Sequence, residues 1–151
     1  LRRKCNGAQV RHRSFGFKNK ILEARTRKKE RKMKDYKDYE VYKKSYKLAL
    51  EIHQLSLTMP DYERYELASQ MRKASKSIPL NFGEGYGKKD SAKEFKRYIM
   101  MSIGSCDEMK ILLDFAKDLG YIDEPLHKQL YAGYEEVGKM LYGLHQKWRK
   151  Y

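Results

Sequence analysis

QMRKASKSIPLNFGEGYG, Gln70 to Gly87, begins as an amphipathic helix and ends in a run of glycines. At 3.6 residues per turn, Leu67, Met71, Ala74 and Ile78 share one face, flanked by Gln70, Ser77 and Asn81. Arg72, Lys73 and Lys76 project from the opposite side. The apolar face must be buried against other helices, and the basic face either meets an anion or is simply solvated. Arg72 and Lys76 stand four residues apart, where like charges cost a helix about 0.2–0.5 kcal/mol, which makes the basic face a candidate site. The run Gly83-Glu84-Gly85-Tyr86-Gly87 lacks the Gly-Lys-Ser/Thr ending of a phosphate loop and follows no strand pattern, so it reads as a helix end and turn.

Three further helices flank this one. Asp38 to Thr58 carries Val41, Ser45, Leu48, Ile52, Leu55 and Met59 on one stripe, widened by Tyr42, Tyr46 and Ala49, and stops at Pro60. Asp61 is the expected N-cap of the second helix, with Glu63 and Glu66 in its first turns and a bend expected at Pro79. Asp90 or Ser91 caps the third helix, whose seam is Phe95, Ile99, Ser102, Cys106, Met109, Leu113 and Ala116. The small residues Ser102, Gly104 and Ser105 at its middle allow another backbone to approach. Gly120 closes that helix, and Asp123 with Pro125 opens a fourth, with Leu126, Leu130, Tyr134, Val137, Leu141, Leu144 and Trp148 on one stripe. Short connections between such helices give an all-α fold, an up-and-down antiparallel four-helix bundle.

The 151 residues suffice for one cored domain. The net charge is +14, but residues 1–32 hold thirteen Lys and Arg against Glu23 and Glu30, a net of +11, so residues 33–151 retain only +3. Residues 1–32 also lack periodicity and every one of the thirteen tyrosines, and are expected to be disordered or a frayed helix. Two readings stand for this segment. Purine-rich codons suffice for Arg27-Lys28-Lys29-Glu30-Arg31-Lys32, which suits a translated ribosome-binding site and a true start at Met33; a basic arm that tracks phosphates is the alternative. The expected domain is thus 33–151. No apolar run is long enough to span a bilayer or to serve as a signal peptide, and Cys5 and Cys106 form no disulfide framework, so a cytoplasmic protein with Cys106 reduced is expected.

Catalytic chemistry finds little support. His53, His127 and His145 are dispersed, no Cys-x-x-Cys or repeated Glu-x-x-His exists, and Asp107-Glu108 and Glu135-Glu136 are adjacent pairs that diverge on a helix. No metal, cofactor or enzymatic activity is expected. Glu84 reads as a local ion-pair partner of Lys88 and Lys89. Tyr42, Tyr46, Tyr98 and Tyr134 read as core-edge residues, and Tyr36, Tyr39, Tyr62, Tyr65 and Tyr86 as candidates for a subunit interface.

A set of short motifs in fixed order resembles the bacterial 23S rRNA intervening-sequence proteins. It runs through Met59-Pro60, Glu63-Arg64-Tyr65-Glu66-Leu67, Gln70-Met71-Arg72-Lys73-Ala74, Ser77-Ile78-Pro79 and Asn81-Phe82-Gly83-Glu84-Gly85. It continues with Glu94-Phe95, Gly104-Ser105, Glu108 and Leu119-Gly120-Tyr121-Ile122, and spans roughly Asp38 to Trp148. Met59 stands where an aromatic is usual and Phe82-Gly83 where Ile-Ala is usual. The resemblance implies a small helical bundle that assembles into rings, a pentamer being the first expectation. A related branch, the accessory protein of diversity-generating retroelements, implies nucleic acid and a reverse transcriptase as partners.

The leading expectation is a non-enzymatic oligomer that binds structured RNA or other nucleic acid through phosphate contacts from Arg72, Lys73, Lys76, Lys88, Lys89, Lys93 and Arg97, on one basic surface across the second and third helices. The alternative is a protein-interaction scaffold whose basic face only solubilises it.

Overall fold

The structure, a computed structural model, describes Lys20 and residues 35–149. The expectations for residues 1–32 therefore lie, Lys20 apart, outside the described residues. Four α-helices follow a 3-10 turn at Tyr36–Asp38: α1 (Glu40–Leu57), α2 (Leu67–Tyr86), α3 (Ala92–Asp118) and α4 (Glu124–Lys147). Each helix packs on its neighbours in the chain, and α4 closes back onto α1, so α1 and α3 stand diagonally across the core, as do α2 and α4. This is the expected four-helix bundle, with no strand among the described residues.

The helix ends are set by local chemistry. Ser91 accepts from the Glu94 N–H and Asp123 from the Leu126 N–H, each capping a first turn that otherwise lacks acceptors. Gly120, at φ +79°, closes α3: Tyr121 N–H reaches the Ala116 carbonyl and Gly120 N–H the Lys117 carbonyl, a pairing that needs the left-handed conformation. The second helix begins later than expected. Asp61–Glu63 forms a separate 3-10 turn, and α2 starts at Leu67, whose N–H donates to the Glu63 carboxylate at 3.1 Å. Glu63, not Asp61, thus supplies the acceptor for this end. Pro79 is buried, and α2 runs through it as unbroken helix.

The predicted stripes meet in one core. The seven seam residues of α3 are all buried, and Ile52, Met71, Ile78, Phe82, Val137 and Leu141 fill the space between the helices. Gly85 lets α2 lie against α3: a Cβ there would come within 2.4 Å of the Tyr98 Cβ. Ser102 Oγ donates to the Ile78 carbonyl at 3.1 Å and Ser77 bonds Ser105 at 2.5 Å, so these small residues seat α3 on α2 as anticipated. Gly104 differs. It faces outward, and a Cβ added there would meet nothing within 4 Å. Three of the tyrosines expected at a subunit interface belong to this chain's own packing: Tyr86 is buried, and Tyr39 stacks edge-on against Phe82 and Tyr86 while Tyr36 meets Tyr42. Tyr62 and Tyr65 are exposed.

Candidate functional site

The seven basic residues divide into three groups. Arg72 is half-buried and turned inward, donating to the Arg64 carbonyl at 2.9 Å and to Ser56 Oγ at 3.2 Å. It fastens α2 to the end of α1 instead of projecting outward. A helix wheel assigns it to the basic face because it sits at the edge of the apolar arc, where a long side chain can fold back to unpaired carbonyls.

Lys88, Lys89, Lys93 and Arg97 gather on the α2–α3 turn and the first turns of α3, with half-buried Lys96 beside them. Two tyrosine rings carry this group. Lys88 Nζ donates to Tyr98 Oη at 2.6 Å, and Tyr98 in turn donates to Glu84 Oε1 at 2.9 Å. Lys88 also lies 3.8 Å from Glu84, as the spacing suggested. The Tyr98 hydrogen bond, with the nearby carboxylates, holds the Lys88 ammonium above its ordinary pKa. Lys89 covers the Tyr86 ring at 4.3 Å, and Arg97 lies over Tyr98 at 4.9 Å while pairing with Glu94 at 3.1 Å. That hydrogen bond and charge raise the Arg97 pKa further. Exposed Lys93 has no carboxylate within 4 Å among the described residues. The sequence places Tyr98 at the core edge beside the α3 seam, and only the fold shows its hydroxyl linking a cation to a carboxylate.

Lys73 and Lys76 lie farther back on α2, exposed and without an ion pair among the described residues. Lys76 borders a groove between α1 and α2, a cavity of about 800 Å³ whose walls include Tyr42, Tyr46, Leu50, His53 and Leu80. Its surface is mostly apolar, and Leu50 and Leu80 remain 55% and 68% exposed. Lys76 thus turns towards α1 while Lys88 and Arg97 turn towards α3, with Leu80 and Glu84 between them along α2. The structure gathers the turn residues and sets Arg72 and Lys76 apart from them.

Elsewhere the titratable groups serve the fold. Cys106 is buried, and desolvation with the nearby Asp107 charge pushes its thiol up to about 12. His127 pairs with Asp114 at 2.7 Å. Among the described residues no three His, Cys, Asp or Glu side chains converge to hold a metal ion, and no helix is long and apolar enough to cross a membrane.

No curated protein matches the chain. Among solved structures, a Bacteroides thetaiotaomicron protein of unknown function, described as of the S23 ribosomal protein family, superposes with a TM-score of 0.65 over 71% of this chain and 99% of its own. At 18% identity that likeness speaks for the fold. The family model for the 23S rRNA-intervening sequence protein matches residues 37–143, from the turn before α1 almost to the end of α4. A match over that span, on a bundle with the expected helix order, makes the chain a member of the 23S rRNA-intervening sequence protein family.

Proposed function

We propose that this protein is a non-enzymatic, self-associating helical bundle that holds the phosphate backbone of a structured RNA, or of DNA, on the α2–α3 turn. The observation that carries this reading is the gathering of Lys88, Lys89, Lys93 and Arg97 on the α2–α3 turn and the first turns of α3, where Lys88 and Arg97 lie over the Tyr98 ring and Lys89 over that of Tyr86. Cations spread singly over a surface are usually solvated, whereas a cluster offers several phosphate contacts at once. Glu84, Asp90 and Glu94 moderate the charge of the turn, and with a net of only +3 on residues 33–151 several copies acting together are needed for firm binding.

The test is the triple variant Lys88→Ala, Lys89→Ala, Lys93→Ala. Its helical circular dichroism and assembled mass should match the parent, and its affinity for a structured rRNA fragment should fall at least about tenfold. Arg72 is left intact, because truncating it removes the two hydrogen bonds that tie α2 to the end of α1 and to the α1–α2 connection. Unchanged affinity would retire the nucleic-acid reading. A second reading, a scaffold for another polypeptide such as the reverse transcriptase suggested by the family resemblance, is favoured by the apolar side chains left exposed on α1, α2 and α3. Binding that is insensitive to salt would support it.

A further inference from the structure

We propose that the α1–α2 groove receives the outer face of α3 from a second copy of this chain, with Lys76 of one copy paired to Glu108 of the next. This deepens the self-association in the reading above and does not depend on nucleic-acid binding.

Among the described residues two surfaces remain uncovered, and they are opposite in shape. One is the concave groove, bordered by Lys76. The other is convex. Met101, Gly104, Ile111 and Phe115 follow one another on α3 at intervals of three, seven and four residues, which places them on one stripe. Met101, Ile111 and Phe115 are 45%, 57% and 56% exposed, although α3 carries a complete second stripe into its own core. A helix with two apolar faces is expected to have two partners. Tyr42 to His53 spans about 16 Å of α1 and Met101 to Phe115 about 21 Å of α3, so the ridge is longer than the groove wall by about one turn.

Charge and register select the occupant. Lys76 in the groove lacks a carboxylate within 4 Å among the described residues, and exposed Glu108 on the ridge lacks a cation. Leu80, the most exposed leucine in the groove, follows Lys76 by four residues. Gly104, with open space where its Cβ would be, precedes Glu108 by four. If the incoming α3 runs antiparallel to α2, one register therefore sets Lys76 against Glu108 and Leu80 into the hole above Gly104. A glycine at that point lets the two helices approach closely. Groove and ridge are different patches, so the contact is head-to-tail and each copy keeps one free patch until the assembly closes on itself.

Sedimentation equilibrium of the full chain without nucleic acid tests this. The parent should exceed the mass of a dimer, since a head-to-tail joint does not stop at two. Lys76→Glu and Glu108→Lys should each raise the dissociation constant of the assembly at least about tenfold, and the double variant should return to within about threefold of the parent. Gly104→Trp, placed where the single chain has room, should break the assembly while leaving the helical circular dichroism unchanged. A monomeric parent overturns this pairing and the self-association together. An assembled parent whose single charge variants and Gly104→Trp assemble equally well, or whose double variant is no better than either single, overturns the pairing alone. A parent that stops at a dimer replaces it with a two-fold contact.

Discussion

Tyr134 is fully buried in the middle of α4, and its hydroxyl has no hydrogen-bond partner among the described residues. The helical spacing places Tyr134 on the core stripe, but periodicity reports the face a residue takes and not its depth, so the sequence leads one to expect a hydroxyl that reaches water. A buried hydroxyl left unpaired carries a desolvation cost, and Tyr134→Phe should stabilise the protein by on the order of 1 kcal/mol. A higher urea midpoint with an unchanged slope is the expected result; a lower midpoint would show that the hydroxyl bonds a buried water. Cys106, also in the core, gives a pH signature. Its thiol ionises near 9.0 when unfolded and only near about 12 when folded, so above pH 9 the unfolded chain binds fewer protons than the folded one and stability falls as pH rises. Burial raises the Tyr134 pKa in the same sense and adds to the loss at still higher pH. Urea midpoints should therefore decline through pH 9 to 11, and Cys106→Ala should flatten the first part of that decline.

Between elements, the connections decide more than the stripes. The α1–α2 connection is held by Glu63, which caps α2 through one carboxylate oxygen and accepts from Tyr121 Oη at 2.7 Å through the other. Tyr62 joins at 3.1 Å from the Tyr121 hydroxyl, and these two bonds raise the Tyr121 pKa. The network ties the α3–α4 turn to the start of α2. Tyr121→Phe should lower the urea midpoint, and Glu63→Ala should lower it further, since it also removes the cap; equal midpoints for parent and Tyr121→Phe would show the bond to be solvated away. Gly85→Ala is the harsher change, because its Cβ would collide with the Cβ of Tyr98 and push α2 from α3. A destabilisation of several kcal/mol is expected, read as a falling thermal midpoint. The stripes, the closing Gly120 and the caps at Ser91 and Asp123 are all legible in the sequence because each is a short-range signal. The start of α2 is not, since Glu63 acts across four residues and is oriented by Tyr121, a residue distant in the chain. Arg72 escapes for the same reason: its acceptors lie at the end of α1 and in the α1–α2 connection, and no wheel of α2 contains them.

For the whole molecule the charge is divided unevenly, and this separates stability from affinity. Among the described residues, all the buried core residues lie between Val41 and Leu141, within a region that carries little net charge, whereas +11 of the +14 belongs to residues 1–32. Hydrophobic burial sets stability and the number of phosphates engaged sets salt dependence, so the two properties should respond to different parts of the chain. A variant beginning at Met33 should unfold at the same temperature as the full chain. If residues 1–32 act as a basic arm on nucleic acid, the slope of log affinity against log salt should become shallower by about 0.7–0.9 for each phosphate that the arm no longer neutralises, while the α2–α3 turn keeps its own share. The slope that survives can then be assigned by combining the truncation with the Lys88, Lys89 and Lys93 alanine variant. If the truncated protein binds with an undiminished slope, the turn and its repeats in the assembly neutralise the phosphates without the arm; if its binding vanishes at ~0.1 M salt, the turn is a solvated surface and the apolar faces of the bundle become its principal binding surfaces.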